Sequence, residues 1–342
     1  MKYRPLFDEP CACHEDAESA VWSQACSQPR STFVGMDEAG YGPNLGPLVI
    51  AATKWDLPEP AASFDFYQVL AEICDSASDC SGSRLHIADS KQVHQGTHGF
   101  KRLETSALSI LRAANVPSAT LEELWQSLTG EEFTDRPVWF QSLDLRLPLL
   151  VEAHVIDEWS SKWNLSLTQN GINLKGIKAK ILTANTFNGL IDRVQSKGIV
   201  LSTTAFQLIR QLWSPAETQP ALVVGDKHGG RNRYDDLLDV ILDGQFIIRM
   251  EEGRELSRYR VGNTEFRFQT KGESHLPVAV ASLVAKYVRE LAMEVFNSFW
   301  KSHSPDLKPT KGYPQDAKRF RAEIADLQTE LGISDQVLWR KK

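Results

Sequence analysis

Hydrophobic and polar positions divide this chain into short apolar runs of strand character and longer stretches of helical period. The sharpest pattern is Phe33-Val34-Gly35-Met36, which ends in two adjacent acids, Asp37 and Glu38, crosses a turn rich in Gly and Pro, and resumes as Leu48-Val49-Ile50-Ala51-Ala52. This predicts a hairpin over residues 31 to 56 with carboxylates at its tip; Leu57-Pro58-Glu59-Pro60 ends it, because proline cannot continue a ladder. Strand side chains alternate between faces, so if Asp37 closes the strand, Glu38 has to sit where the chain bends for both acids to reach one site. Helical periods predict helices at 64–75, 98–115, 151–163, 203–213 and 235–242, and strands at 177–187, 245–250, 257–261 and 264–270. Ala221-Leu222-Val223-Val224-Gly225-Asp226 is a continuous apolar run, hence a buried strand, and it too ends in an acid. Pro277 opens a strong helix in which Val280, Leu283, Val284, Tyr287, Val288 and Leu291 share a stripe.

Composition narrows the classes. The chain has 342 residues, 42% of them hydrophobic and 24% charged, which is ordinary for a globular protein with a sizeable core. No apolar run approaches the ~20 residues of a membrane helix, and Met1-Lys2-Tyr3-Arg4-Pro5 is followed by no apolar signal core. The expectation is a cytoplasmic protein without membrane contact, and a monomer. Five cysteines in a chain of this size argue against a disulfide framework. The net charge of −6 leaves no global basic footprint, so contact with nucleic acid has to come from local patches. Residues 1 to 30 read as a flexible arm, in which Cys11, Cys13, His14 and Cys26 lack the spacing of a standard zinc site. Residues 120 to 180 read as an insertion whose tryptophans (Trp125, Trp139, Trp159, Trp163) are core at helical spacing rather than base-stacking platforms. Residues 326 to 342 form a basic C-terminal extension.

Several polar residues carry candidate chemistry. Lys91 follows Asp89-Ser90 and is suited to a phosphate, though a capping Asp89 with an exposed lysine explains the same residues. Lys227 and Arg231, in a glycine-loosened turn after Asp226, suggest a phosphate-facing rim or a solvated basic loop. Lys286 and Glu290 lie one helical turn apart, the spacing of an ordinary ion pair.

Taken in order, Asp37-Glu38-Ala39-Gly40 with Gly42-Pro43 and Gly46-Pro47, then Asp89-Ser90-Lys91, a strand ending at Asp226, Ala281-Ser282-Leu283-Val284-Ala285-Lys286 before Arg289-Glu290, and Lys311-Gly312-Tyr313-Pro314 resemble the ribonuclease HII/HIII family. The resemblance spans residues 31 to 325 and omits the N-terminal arm and most of 120 to 180. It implies an α/β ribonuclease H-like fold with a central mixed sheet flanked by helices, and a metal-dependent endoribonuclease. The implied substrate is an RNA/DNA hybrid or DNA containing ribonucleotides, cut to leave 5′-phosphate and 3′-hydroxyl ends. Asp37, Glu38, Asp226 and Glu290 match the family's catalytic acids, which hold two Mg²⁺ or Mn²⁺ ions. Clustered carboxylates repel at short range, so a largely preformed cation trap is expected. Gly40, Tyr41, Gly42, Lys91, Lys227, Arg231, Lys286 and Tyr313 are the implied substrate-binding residues, with Tyr313 matching a tyrosine that stacks on the sugar at a ribose-to-deoxyribose step. Two features depart from the ribonuclease HII pattern: Tyr41 stands where it has arginine in a Gly-Arg-Gly loop, and Glu290 stands where it has aspartate. Two other readings use the same fold: a non-catalytic nucleic-acid binder, and a two-metal nuclease acting on DNA.

Overall fold

The structure, a computed structural model, describes residues 30–77, 82–131 and 136–341. The Cys11/Cys13/His14/Cys26 group and the expected arm lie outside the described residues. In chain order the elements are β1 (Ser31–Ala39), β2 (Leu48–Leu57), α1 (Phe66–Val69), β3 (Cys74–Asp75), β4 (Leu85–His86), α2 (Ser90–Val93), α3 (Gly99–Ala113), α4 (Leu121–Thr129), α5 (Ala153–Gln169), β5 (Asn173–Leu182), α6 (Ala184–Val194), α7 (Lys197–Leu212), β6 (Ala221–Asp226), α8 (Asp235–Leu238), β7 (Ile248–Glu252), β8 (Leu256–Val261), β9 (Thr264–Gln269), α9 (Leu276–His303), α10 (Pro314–Glu323), α11 (Ala325–Glu330) and α12 (Asp335–Leu338).

Seven strands form one mixed sheet in the order β5-β2-β1-β6-β9-β8-β7. β1 pairs antiparallel with β2 and parallel with β6, and β6 pairs parallel with β9. Two-fold alternation along the strands separates two cores. Phe33, Ala51, Trp55, Leu222 and Val224 pack toward α9 and α3, while Val34, Met36, Ile50, Ala52 and Val223 pack toward α6 and α7. This helix-flanked mixed sheet is the architecture the motif order implies, and no described helix is long and apolar enough to cross a membrane.

The long helix α9 lies directly on β1. A β-carbon on Gly35 would sit 2.4 Å from the Pro277 carbonyl carbon, so only glycine admits this approach. Thr53 Oγ1 donates to Pro277 O at 2.9 Å and fixes the helix start against β2.

Several expected boundaries move where tertiary pairing overrides local period. The helix expected over 64–75 is a single turn, because the chain then pairs Cys74–Asp75 with Leu85–His86. The strand expected over 177–187 stops at Leu182, where the Thr183 hydroxyl caps α6 by accepting from Thr186 N at 3.4 Å. The helix expected from Thr203 begins at Lys197, because Ser196 caps it. The helices of 120–180 share the core of the main sheet: Trp125, Trp139 and Trp163 are buried in it and Trp159 packs against it. In the expected basic C-terminal extension, residues 335–341 are docked on α6, with Asn188 Nδ2 donating to the carbonyls of Gln336 and Trp339 at 2.9 and 2.8 Å.

Candidate active site

The acids gather where the parallel strands end. β1 continues through both acids, with Asp37 opposite Ala51 and Glu38 opposite Ile50, so the bend expected at Glu38 is absent; at the end of the strand Glu38 still feels the charges of Asp37, Asp226 and Lys91 without it, and the chain turns at Gly40, whose φ is +91°. By alternation Asp37 shares the face of Phe33 and Gly35 and so looks toward α9. There the Ser282 hydroxyl hydrogen-bonds to it and lies 2.9 Å from Ser90 Oγ, linking α9 and α2 to this carboxyl. Asp226 closes β6 beside it. β9, parallel to β6 with Gln269 opposite Asp226, delivers the next turn over the strand tip. Gly272 N donates to Asp226 Oδ1 at 3.3 Å, and a β-carbon on Gly272 would lie 3.1 Å from Asp226 N. That close approach carries the adjacent Glu273 to the cluster.

Electrostatics identify the members. Loss of water pushes the Asp37 carboxyl up, opposed by Ser282 and reinforced by the charges of Asp226 and Glu273. Glu38 is pushed up by the same desolvation, with Asp37 and Asp226 adding to it and Lys91 opposing. Glu273 is likewise raised, first by desolvation, then by Asp226 and Asp89. Burial alone would lower Lys91, yet Asp89, Asp37, Glu273 and Asp226 together hold it above its ordinary value. Lys91 is thus the cation these acids sense, and Asp89 also caps α2 by accepting from Lys91 N at 2.9 Å.

Glu290 is placed differently. It accepts from Lys286 Nζ at 2.6 Å and Lys311 Nζ at 3.4 Å, with His94 Nε2 at 3.9 Å. Burial would raise it, but Lys286, Lys311 and His94 overcome that and hold it below the usual carboxylate range. The charges it senses are cations, whereas Asp37 senses Asp226 and Glu273. The fold therefore brings Glu273, not Glu290, to the other three acids. The sequence signal for Glu273 is an acid shortly after the third parallel strand, repeating the pattern of Asp37-Glu38 and Asp226, but three residues separate it from the strand end, so it does not read as a strand-end acid.

The glycine turn is held from beneath by two buried arginines. Arg289 donates to the carbonyls of Leu45 and Lys311 at 3.1 and 3.2 Å and also to Pro47 O; burial brings its guanidinium down to about 10. Arg340 donates to Gly40 O and Pro43 O and lies over the Phe187 ring at 5.2 Å. Sequence reading missed both, because each is recruited by carbonyls far away in the chain. Gly312 O accepts from Asn44 N at 2.8 Å, which sets Tyr313, half exposed, beside the glycine turn. Gly42 is exposed at its crest.

The expected basic residues divide. Lys286 is consumed by Glu290. Lys227 donates to Gly253 O, Ser257 Oγ and Asn232 Oδ1 at 2.5, 2.8 and 3.3 Å, so it braces the β7–β8 turn. Arg231 stays at the rim, close to Tyr41 across the first turn of α7: a β-carbon on Gly198 would lie 3.6 Å from Arg231 Nη2 and 3.9 Å from Tyr41 Oη.

The donor chemistry of Asp37, Glu38, Asp226 and Glu273 is all carboxylate oxygen, which suits hard divalent cations such as Mg²⁺ or Mn²⁺. Among the described residues no three His, Cys, Asp or Glu side chains converge into a ready coordination group. The largely preformed trap expected from sequence is thereby corrected: the acids are brought to the ends of neighbouring strands without forming a ready coordination group.

No protein-family model and no curated protein sequence matches the chain. Solved structures to which it is similar include ribonuclease HII of Archaeoglobus fulgidus in complex with PCNA, 14% identical, with 91% of this chain and 94% of that chain covered and a TM-score of 0.44. Ribonuclease H2 of Pyrococcus horikoshii is 14% identical, with 90% and 92% covered and a TM-score of 0.39. Bst-RNase HIII in complex with Mn²⁺ is 15% identical, with 96% and 72% covered and a TM-score of 0.39. Likenesses this loose leave the chemistry to be argued from the side chains.

Proposed function

We propose that this chain is a divalent-metal-dependent endoribonuclease that hydrolyses the RNA strand of RNA/DNA hybrids, leaving 5′-phosphate and 3′-hydroxyl ends. The observation that carries the reading is the gathering of Asp37, Glu38, Asp226 and Glu273 at the ends of β1, β6 and β9, with upward shifts at Asp37, Glu38 and Glu273. A fold gains nothing in stability from such repulsion, so its retention marks a site that awaits positive charge. Two Mg²⁺ or Mn²⁺ ions held by these four carboxylates would supply water activation and charge stabilisation for an in-line displacement at phosphorus.

The remaining work falls to the chain's own groups. Ser282, itself tied to Ser90, keeps Asp37 oriented. Lys91 offsets part of the negative charge and is positioned to meet a backbone phosphate. Gly40 and Gly42 let backbone amides come close to a 2′-hydroxyl, the group by which RNA is told from DNA. Tyr313 offers a half-exposed ring for stacking on a sugar beside that turn. Glu290, neutralised by Lys286 and Lys311, holds α9 to the loop that carries Tyr313.

The test is cleavage of a panel comprising RNA/DNA hybrid, duplex DNA with one ribonucleotide, duplex DNA and single-stranded RNA, in Mg²⁺ and in Mn²⁺, with product ends mapped. Hybrid cut to 5′-phosphate ends, and lost in Asp226→Asn, is the expected result. Hybrid left intact in both metals overturns the reading, and preferential cutting of duplex DNA replaces it with a DNA-directed nuclease.

A further inference from the structure

The turn that follows β1 has three of its carbonyls gathered by one residue of the C-terminal segment. Arg340 Nη2 donates to both Gly40 O and Pro43 O, and the Arg340 backbone N–H donates to Asn44 O at 2.9 Å. The segment is pinned on both sides of Arg340. Asn188 donates to Trp339 O and accepts from Lys341 N, each at 2.8 Å, while Lys341 Nζ meets Asp192 Oδ2 at 2.7 Å.

Stability alone does not account for an arginine in this place. Its side chain is 1% exposed, its hydrogen bonds run to carbonyls rather than to an acid, and its Nε and Nη1 are buried with no partner among the described residues. The charge of Arg289 joins burial in bringing the Arg340 guanidinium down to about 9. Replacing a buried charge by an apolar side chain of similar volume is often neutral or stabilising. What an apolar side chain cannot do is hold two carbonyls of the turn at once.

The consequence falls on the peptide between Gly40 and Tyr41. A trans peptide is planar and points its C=O and N–H in opposite directions, and the cis bond among the described residues is elsewhere, at Leu147–Pro148. With Gly40 O turned inward to Arg340, the Tyr41 N–H is turned outward, and no backbone carbonyl of the described residues accepts it. The charge of Glu38 is felt at Tyr41, so this outward donor stands beside the acid cluster. Gly40 itself is boxed in, since a β-carbon there would lie 2.7 Å from Pro47 O and 2.8 Å from Arg289 Cδ.

We propose that Arg340 is a positioning residue for ribose recognition: by holding Gly40 O it aims the Tyr41 N–H at the 2′-hydroxyl of a strand bound at the acid cluster. The C-terminal segment thereby sets the preference for RNA over DNA. The inference rests on the nuclease reading given above and adds to it the residue that fixes the sensing donor. A 2′-hydroxyl is what separates RNA from DNA at a given position, and a donor held in one orientation meets it without first being ordered.

Affinities for an RNA/DNA hybrid and for duplex DNA of the same sequence are measured in an Asp226→Asn background, which prevents cleavage. Arg340 is left unchanged or replaced as Arg340→Met or Arg340→Lys, and Tyr41 is exchanged for its α-hydroxy acid analogue, which puts an ester oxygen in place of the N–H alone. Arg340→Met and the ester are each expected to lower the ratio of hybrid to DNA affinity by up to about 10-fold, the size of one hydrogen bond, with DNA affinity itself held within about 2-fold. The two changes together should cost no more than either alone, because both remove the same contact. Arg340→Lys, whose ammonium can donate to both carbonyls, should keep most of the ratio. Equal losses on hybrid and DNA in Arg340→Met, or additive losses in the combined variant, would make Arg340 a packing residue and overturn the assignment while leaving the nuclease reading intact. The ester keeps the Arg340 side chain in place, so it decides the matter where Arg340→Met does not fold: a parental ratio in the ester overturns the assignment. Failure of the parent to bind hybrid at all, together with failure of the unsubstituted protein to cut it, removes the underlying reading and this role with it.

Discussion

Glu273 stands just before α9 and Glu290 near its middle, and their surroundings treat the two carboxylates in opposite ways. Glu290 is met by Lys286, Lys311 and His94, and its charged form is favoured despite burial. Glu273 is met by Asp226 and Asp89, with Lys91 only partly offsetting them, and its charged form is disfavoured. An acid whose charge is already answered within the protein stabilises the fold and has little left to offer a ligand. Acids that answer one another only with repulsion cost stability and are an unfilled demand for cations. Proximity to a helix or a match of residue type does not separate these cases; the sign of the neighbouring charges does.

The largest effect that would break this comparison is on turnover. Asp37→Asn and Asp226→Asn are expected to lower hybrid cleavage by at least about 1,000-fold, equivalent to ~4 kcal/mol of barrier, while the melting temperature in chelator stays level or rises as repulsion is removed. Retained cleavage in either variant would mean that the cluster is not the reacting centre. Next in size is the contrast between the two glutamates. Glu273→Gln is expected to lose roughly 100-fold in kcat, or ~3 kcal/mol, at unchanged urea stability. Glu290→Gln should stay within about 3-fold of wild-type activity yet lose about 1–3 kcal/mol of stability, because the partly buried Lys286 ammonium loses its partner. The reverse outcome would restore Glu290 to the metal site.

The third effect is the pH dependence of the metal-free protein. Asp37 and Glu38 have folded values raised from 3.8 and 4.5 to about 7 and about 8. The native state therefore binds more protons than the unfolded chain between about 4 and 8, and stability falls as pH rises through that window. Melting temperature in chelator should drop from pH 5 to pH 8; the drop should shrink in Asp37→Asn and on addition of Mn²⁺. A flat profile would show that the acids are already neutralised. The smallest effect is at the rim: Tyr313→Ala should reduce discrimination between junction and pure hybrid by ~1–3 kcal/mol, the size of one stacking contact. Equal losses on both substrates would identify Tyr313 as a packing residue of the loop before α10.

Much of the fold was legible because its signals are local. The β1–β2 hairpin, β6 and α9 follow from alternation, a continuous apolar run and a proline-led helical stripe. Three of the four clustered acids were visible as strand ends. What was illegible required partners far along the chain. Residues 64–75 have helical period, but pairing of Cys74–Asp75 with Leu85–His86 decides their shape. Lys227 looked like a phosphate ligand until the β7–β8 turn supplied Gly253 O and Ser257 Oγ. Lys286 and Glu290 were rightly spaced for an ion pair, and the pair is what forms.

By itself the sequence determined the period of each strand and helix, the glycine positions that allow close approach, and the placing of acids at the tips of β1 and β6, because each depends on neighbours within a few residues. Tertiary structure alone decided which carboxylates meet. The parallel pairing of β9 with β6 carries Gly272 to Asp226 across 46 residues of sequence, and Arg340 reaches Gly40 across 300. Sequence spacing carries no information about such encounters, since strand order in the sheet sets the distance between chain segments, and the Coulomb energy of a carboxylate depends on that distance.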